Sequence, residues 1–210
     1  MSFTGIPPAA FDFYRRLHTD NTKSFWTENT AVYDETVRGP LIALAADLEK
    51  EFGEAKMFRP YRDVRFSADK SPYKTHQGCF CAFDEAVGWY VQVDAEGVMV
   101  AGGFYAGDKE RTARYRAAVD AQQSGAALEK LLAKLSRAGF TIGGDQVTTR
   151  PRGCPPDHPR LALMRHSTLT ASRRHEEEEV ATASGLDLIR KDWRALRPLN
   201  DWILDHVVSP

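Results

Sequence analysis

The middle of the chain contains four short runs with strand-like patterns, and their close spacing limits the possible folds more than any other feature. These runs are Arg62–Ser67, Gly78–Phe83, Trp89–Asp94 and Val98–Phe104. In the first run Val64 and Phe66 alternate with polar residues, which predicts a strand with one apolar face. Because the runs are consecutive and turn residues separate them, the pattern predicts an antiparallel meander.

Helical patterns precede this region. Apolar residues recur with helical spacing over Ala9–Leu17, where Tyr14 lies on the apolar stripe, and again over Ala31–Phe52. Ser24 is the predicted N-cap of a helix between these stretches. Gly39-Pro40 should kink the long pattern or divide it into two helices.

Helices and short strands are also predicted in the second half of the chain. The predicted helices are Lys109–Ala121 with Asp108 as N-cap, one from Ser124, one from His158-Pro159, one from the four glutamates 176–179, and a C-terminal one interrupted near Pro198. The predicted strands are a hairpin of Phe140–Ile142 with Gln146–Arg150, and His166–Thr170. The whole pattern predicts an α+β fold, a mainly antiparallel sheet packed by N-terminal, central and C-terminal helices. We expect a single domain over 1–210, with 180–210 as a C-terminal helical extension packed on it.

The charge of the chain is small overall but unevenly distributed. The net charge is -1, yet residues 56–76 and 145–175 each carry +4, while residues 1–55 and 176–210 each carry -4. A general nucleic-acid-binding protein is usually basic overall, so two local basic segments fit a focused anionic site better. The sequence shows no secretory signal and no run long enough to span a membrane. With three cysteines, we expect a cytoplasmic protein without disulfides.

One string of residues resembles a known family. Arg62-Asp63-Val64-Arg65-Phe66-Ser67, Asp69-Lys70 and Pro72-Tyr73-Lys74, with Pro151-Arg152-Gly153 and Asp157-His158-Pro159 downstream, resemble the uncharacterised family called domain of unknown function 2461. The resemblance runs from Phe11-Asp12-Phe13 to about Arg165. In Asn21-Thr22-Lys23-Ser24-Phe25-Trp26 the chain departs from the family, whose members tend to have two Asn and the order Trp-Phe. The resemblance implies a compact α+β domain and no activity.

The basic segments are the predicted ligand site. Arginine forks suit phosphate or carboxylate, lysines add point charges, and a tyrosine can donate a hydrogen bond or stack on a ring. The predicted ligand-binding residues are Arg62, Arg65, Lys70, Tyr73, Lys74, Arg150 and Arg152. We expect Arg62 or Arg65, Lys70, and Arg150 or Arg152 to face one shared concavity. The predicted ligand is small, anionic and phosphorylated.

Two other interpretations of these charges stay open. In one, Asp63 and Asp69 pair with the cations in a structural network, and the chain is an interaction domain. In the other, the cations contact nucleic-acid phosphates and Tyr73 stacks on bases. We expect Asp63 to orient Arg65, and we expect replacement of Lys70 or Lys74 to leave stability nearly unchanged.

Acid–base and metal chemistry have only weak candidates. His158 with Asp157 is the best acid/base pair, although Asp157 could instead cap a helix that begins at His158-Pro159. A zinc site could be assembled from His76, Cys79 and Cys81 with Cys154 and His158, but this spacing is not a usual zinc knuckle. We expect free thiols, no metal and no cofactor, because the nucleotide and metalloprotease motifs are also missing from the sequence.

Overall fold

A computed structural model describes residues 2–63, 65, 68–84, 86–105 and 108–208. Its helices and strands confirm the α+β class. The helices are α1 (Pro8–Thr19), α2 (Lys23–Tyr33), α3 (Gly39–Phe52), α4 (Lys109–Asp120), α5 (Gln122–Arg137), α6 (Leu161–Met164), α7 (Glu177–Val180) and α8 (Ser184–Ile203), with π-helical turns at Asp34–Arg38 and Leu204–Val208. The strands are β1 (Ala55–Met57), β2 (His76–Asp84), β3 (Val87–Asp94), β4 (Gly97–Phe104), β5 (Thr141–Gly143) and β6 (Leu169–His175).

The strands form one antiparallel sheet in the order β1-β2-β3-β4-β6-β5. The last three strands of the predicted meander, which are β2, β3 and β4, are therefore confirmed as neighbours. At one edge, Ala55 of β1 lies opposite Cys81 of β2. At the other edge, Thr141 of β5 lies opposite Ser172 of β6.

The strand predicted over Arg62–Ser67 is wrong in its described residues. Arg62, Asp63 and Arg65 lie outside any strand, and the edge strand is β1 instead. The Asp63 carboxylate accepts a hydrogen bond from the Arg65 backbone N–H at 3.2 Å. This local bond competes with a strand ladder for the same backbone donor. Val64, Phe66 and Ser67, which the alternation argument also used, lie outside the described residues.

The hairpin predicted between Phe140–Ile142 and Gln146–Arg150 is also wrong, because β5 pairs with β6. Gly144 lies close to the Thr168 backbone, at a φ of 114° that favours glycine. The Asp145 N–H donates to the Thr168 hydroxyl at 2.7 Å. These contacts direct the segment toward β6, a partner that lies too far along the chain for a turn rule to find.

Three predicted helix limits also differ from the structure. Thr22, and not Ser24, caps α2, since its side chain accepts a hydrogen bond from the Phe25 N–H. No helix begins at His158-Pro159, and α6 begins only at Leu161. Helix α8 continues through Pro198, because burial of its apolar face offsets the proline penalty of about 3 kcal/mol. The predicted starts at Asp108 and at the four glutamates are confirmed by an Asp108 cap and by a capping box at Glu176.

The chain divides into two compact units. The first unit contains 1–81, 90–100 and 174–191, and the second contains 82–89, 101–173 and 192–210. The core of the first unit is aromatic, and Phe13, Trp26 and Tyr33 are all buried there. The core of the second unit includes Trp89 and Trp193, whose ring centroids are 6.3 Å apart. The interpretation of 1–210 as a single domain with a 180–210 extension stays a prediction.

Candidate functional site

Two short segments of the first unit form a two-stranded ribbon. The Arg62 N–H donates to the Pro72 carbonyl at 2.9 Å, and the Lys74 N–H donates to the Pro60 carbonyl at 2.8 Å. Between these bonds Tyr61 lies opposite Tyr73. Because side chains alternate along extended chains, Arg62 and Lys74 emerge on the face opposite the two tyrosines. We call residues 59–62 and 72–74 the basic ribbon.

Asn21 and Trp26 fix the position of the basic ribbon. The Asn21 amide donates to the Tyr73 carbonyl at 3.0 Å and accepts from the Tyr73 N–H at 3.1 Å. The Tyr73 ring stacks on Trp26 with centroids 4.2 Å apart and planes 6° apart. Tyr73 is only 5% exposed, whereas Tyr61 is 53% exposed. Tyr73 therefore anchors the ribbon, and Tyr61 is the ring that solvent reaches.

The two aspartates of the segment each pair with an arginine. Arg62 Nη1 lies 2.6 Å from Asp69. Arg65 donates through Nε and Nη2 to the two oxygens of Asp63, at 3.0 and 2.7 Å. The hydrogen bonds from Arg65 lower the pKa of the Asp63 carboxyl, and the backbone N–H of Ser71 lowers that of Asp69.

The exposure of the Asp63–Arg65 pair bears on the expected structural role of Asp63. The Arg65 side chain is 76% exposed and that of Asp63 is 41% exposed. The large penalty for stranding a buried charge therefore does not apply to this pair. Arg65 donates two hydrogen bonds to Asp63, and the orienting role expected of Asp63 stays a prediction.

Two of the three cations of the basic ribbon have no carboxylate partner among the described residues. Burial, with repulsion from Arg59 and Arg62, lowers the pKa of Lys74. Burial and then repulsion from Lys74 lower the pKa of His76. Neither Arg59 nor Lys74 has an ion pair with any residue that the structure describes. Like charges this close to one another create a site where an anion is stabilised.

A polar cavity of about 220 Å³ lies in the same unit. Its lining residues are Tyr14, His18, Thr75, His76, Gln92, Asp94, Ala95 and Glu96. His76 links the two features, since it lines the cavity and also experiences the charge of Lys74. The charge of the basic ribbon therefore acts on a residue of the cavity wall.

Asp94 is the most constrained residue of the cavity wall. It accepts two hydrogen bonds from Arg174, at 2.7 and 3.0 Å, one from the Gln92 amide at 2.7 Å and one from the Glu96 N–H at 2.9 Å. Burial works to raise the pKa of Asp94, but the bonds from Arg174 and its other donors outweigh burial and lower it. Because four donors occupy its acceptor sites, Asp94 holds the wall in place.

The second basic segment belongs to the second unit. Arg150 and Arg152 are exposed, and Arg150 donates to the Cys154 carbonyl. Lys70 and Arg65 are exposed in the first unit. The convergence of the two basic segments on one concavity stays a prediction.

His158 is held by groups other than Asp157. Its Nδ1 accepts a hydrogen bond from the Arg160 N–H at 3.0 Å, so the ring proton lies on Nε2, which is 3.0 Å from Asp120. Both ring nitrogens are thus engaged within the protein, and neither is open to a substrate. Asp157 caps no helix, since none begins there. We therefore leave both residues out of the proposed site.

The cysteines are buried free thiols. Burial raises the pKa values of Cys79 and Cys81 to about 12, so neither is a thiolate at neutral pH. Among the described residues, no group of three or more His, Cys, Asp or Glu side chains could hold a metal ion. The zinc candidate that the sequence allowed thus gains no support from the described part of the chain.

Sequence reasoning missed several residues of this site. The sequence pattern assigned Tyr14 only to an apolar helical stripe. Its hydroxyl, which a phenylalanine would lack, was a signal for a polar environment that this pattern ignored. His18, Gln92 and Glu96 carried no motif at all. Arg59 and Tyr61 stood beside the recognised string but were not assigned a role.

Comparison with known proteins adds a family but no activity. A family model described as "Conserved hypothetical protein (DUF2461)" matches residues 9–202. No curated protein matches the chain. A crystal structure of an uncharacterized protein from Methanothermobacter thermautotrophicus is 13% identical, has a TM-score of 0.42, and aligns over 76% of this chain and 94% of its own. A likeness this low carries no argument. Of the helices in the described part of the chain, none has the length and apolar character that crossing a membrane requires.

Proposed function

Since the chain belongs to the family of conserved hypothetical proteins called domain of unknown function 2461, whose description states no activity, we propose a function from the chain's own residues. The protein binds a small phosphorylated ligand on the basic ribbon. One observation carries this proposal. Burial and the nearby charges of Arg59 and Arg62 lower the pKa of Lys74, and neither Arg59 nor Lys74 has an ion pair with a described residue.

The geometry favours a small anion over a nucleic acid. A nonspecific strand binder stacks successive bases on exposed aromatic rings. Tyr73, which the sequence offered for such stacking, is buried against Trp26. Only Tyr61 of the basic ribbon is an exposed ring. One exposed ring beside three clustered cations suits a single phosphate group.

Lys74→Met tests the basic ribbon directly. The change keeps the stem that lies over the Phe58 ring and removes the ammonium, whose Nζ is 5.5 Å from that ring. Hydrogen bonds to charged groups contribute about 1.5–3 kcal/mol, so sulfate affinity should fall roughly 10- to 150-fold. The melting temperature should stay unchanged or rise slightly, because repulsion is relieved. Calorimetric titration with sulfate and thermal unfolding measure the two effects.

Lys130→Met is the matched control, since Lys130 is an exposed lysine of the second unit. It should leave sulfate affinity unchanged. If wild-type protein shows no saturable sulfate or phosphate binding, the proposal fails. A shift with single-stranded RNA that weakens steeply with salt, without sulfate binding, would instead support the nucleic-acid interpretation.

Sulfate binding should also depend on pH through His76. In the empty protein its pKa is lowered, so the ring is neutral at pH 7. A bound dianion favours the charged ring, so binding takes up a proton and strengthens as pH falls from about 8 to 5.5. Sulfate stays dianionic over this range, which removes the titration of the ligand. His76→Gln should flatten the profile, whereas His18→Gln should not. An unchanged profile in His76→Gln would contradict the assignment.

A further inference from the structure

Tyr14 presents an unused hydroxyl to the cavity. The residue is 1% exposed and lines the cavity wall. Its hydroxyl makes no hydrogen bond with any residue in the described ranges. The hydroxyl is not among the fully enclosed unpaired polar atoms of the described residues, so it is reached from the cavity. A ligand group in the cavity can therefore donate to it or accept from it.

The other available groups of the cavity suit a neutral, hydroxylated ligand. Thr75 adds a second hydroxyl that makes no bond with a described residue, and His18 and His76 add two imidazoles. The acceptor sites of Asp94 are occupied by Arg174, Gln92 and a backbone N–H. A hydroxyl both donates and accepts, so it can satisfy each of the remaining groups in turn.

The volume of the cavity limits the size of the group that it holds. At about 30 Å³ per water molecule, 220 Å³ corresponds to about seven waters. This is less than the roughly 300–1,000 Å³ of pockets for drug-sized ligands. The space suits a single ring with its hydroxyls, and a larger ligand would extend out of this partly open cavity.

We propose that this cavity binds the sugar of a sugar phosphate whose phosphate lies on the basic ribbon. The inference rests on the proposed function, because the basic ribbon supplies the phosphate site. Lys74 and His76 are separated by one residue, and His76 lines the cavity. A phosphate bound by Lys74 therefore places its ester oxygen, and the carbon that follows, toward the cavity. Tyr14 and Thr75 then bond hydroxyls of the ring.

Calorimetric titration with four ligands tests the inference. The ligands are inorganic phosphate, ribose 5-phosphate, glucose 6-phosphate and phosphoethanolamine. We expect at least one sugar phosphate to bind the wild type at least tenfold more tightly than inorganic phosphate. Tyr14→Phe should lower that affinity roughly three- to tenfold, the loss of one neutral hydrogen bond, and leave inorganic phosphate unchanged. Thr75→Val should act in the same direction.

Tyr33→Phe is the matched control. The Tyr33 hydroxyl donates to Gln77 at 2.6 Å and does not line the cavity. This variant should lose stability and keep the preference for the sugar phosphate, whereas Tyr14→Phe should keep stability and lose part of that preference.

Each failure has its own signature. If inorganic phosphate binds but neither sugar phosphate binds more tightly, the cavity inference is overturned and the proposed anion site stands. If phosphoethanolamine binds best, the cavity selects an amine and the sugar assignment is wrong. If none of the four ligands binds, the proposed function fails and the inference fails with it.

Discussion

Trp26→Ala is expected to lower the free energy of unfolding by about 3–5 kcal/mol, the usual range for a buried tryptophan, and to abolish anion binding. Trp26 is 6% exposed. Its ring centroid lies 4.8 Å from that of Tyr33 and 4.2 Å from that of Tyr73. Removing it opens a cavity in the first unit and takes away the surface on which Tyr73 stacks. The basic ribbon would then keep its hydrogen bonds to Asn21 but lose its aromatic support.

Urea denaturation and sulfate titration of the folded protein measure these two losses. Trp202→Ala is the matched control, because Trp202 is 7% exposed and lies in the second unit. It should cost a similar free energy of unfolding and leave sulfate affinity unchanged. Trp26→Phe, which keeps an aromatic ring, should retain part of the affinity. Equal sulfate affinities in Trp26→Ala and Trp202→Ala would show that the stack does not position the ribbon.

Arg173→Met is expected to lower the free energy of unfolding by about 3–5 kcal/mol, because it removes the charged partner of a buried carboxylate. Arg173 Nη1 lies 2.6 Å from Asp192, whose side chain is 1% exposed. The guanidinium also lies over the Phe140 ring, 4.2 Å from its centroid. The double variant Arg173→Met with Asp192→Leu should recover most of the loss, since apolar replacement of both partners removes the desolvation cost.

Chemical denaturation of both variants measures the coupling between the two residues. Arg15→Met is the control, since Arg15 is 47% exposed and its partners Asp12 and Glu177 are 64% and 24% exposed. An exposed pair contributes at most about 1 kcal/mol, so the control should lose little. If Arg173→Met lowered the free energy of unfolding no more than Arg15→Met, the other hydrogen bonds of Asp192 would be sufficient for its buried carboxylate.

The sequence predicted elements well where the signal was local. The apolar stripes of α1 and α3 follow helical spacing, and their stripe residues are buried. The division near Gly39-Pro40 was predictable because proline removes a helical donor, and α3 begins there. The caps at Asp108 and at the run of glutamates were predictable because each involves residues only three apart.

The errors occurred where a distant or unusual partner decided the structure. The alternation from Arg62 predicted a strand, but the Asp63 side chain took the backbone donor of Arg65. Gly143-Gly144-Asp145 resembled a hairpin turn. The Asp145 N–H instead donates to the Thr168 hydroxyl, which lies 23 residues further along the chain. Neither the Asp63 carboxylate nor the Thr168 hydroxyl is visible in the hydrophobic pattern of the sequence, because each acts through a single hydrogen bond.

The candidate site was predictable in its charge but not in its cavity. The excess of Arg and Lys in residues 56–76 is visible in the sequence, and it indicated an anion. Nothing in the sequence joins Tyr14 to His76 or Asn21 to Tyr73, because those pairs meet only after the helices and strands have packed. The stacking of Tyr73 on Trp26 likewise changed the role of a residue that composition marked as a ligand contact.

Main-chain hydrogen bonds join the two segments of the basic ribbon, so the chain between these segments should tolerate insertions. The two bonds that close it join Arg62 to Pro72 and Lys74 to Pro60, through main-chain atoms only. Doubling the number of residues that such a closure spans costs about 0.6 kcal/mol, so residues added between 63 and 71 should change stability little. Lys74 would keep its place, since Asn21 holds the neighbouring Tyr73 from outside the loop. Different numbers of residues between positions 63 and 71 are therefore compatible with one unchanged position of Lys74, the cation on which the proposed anion site depends.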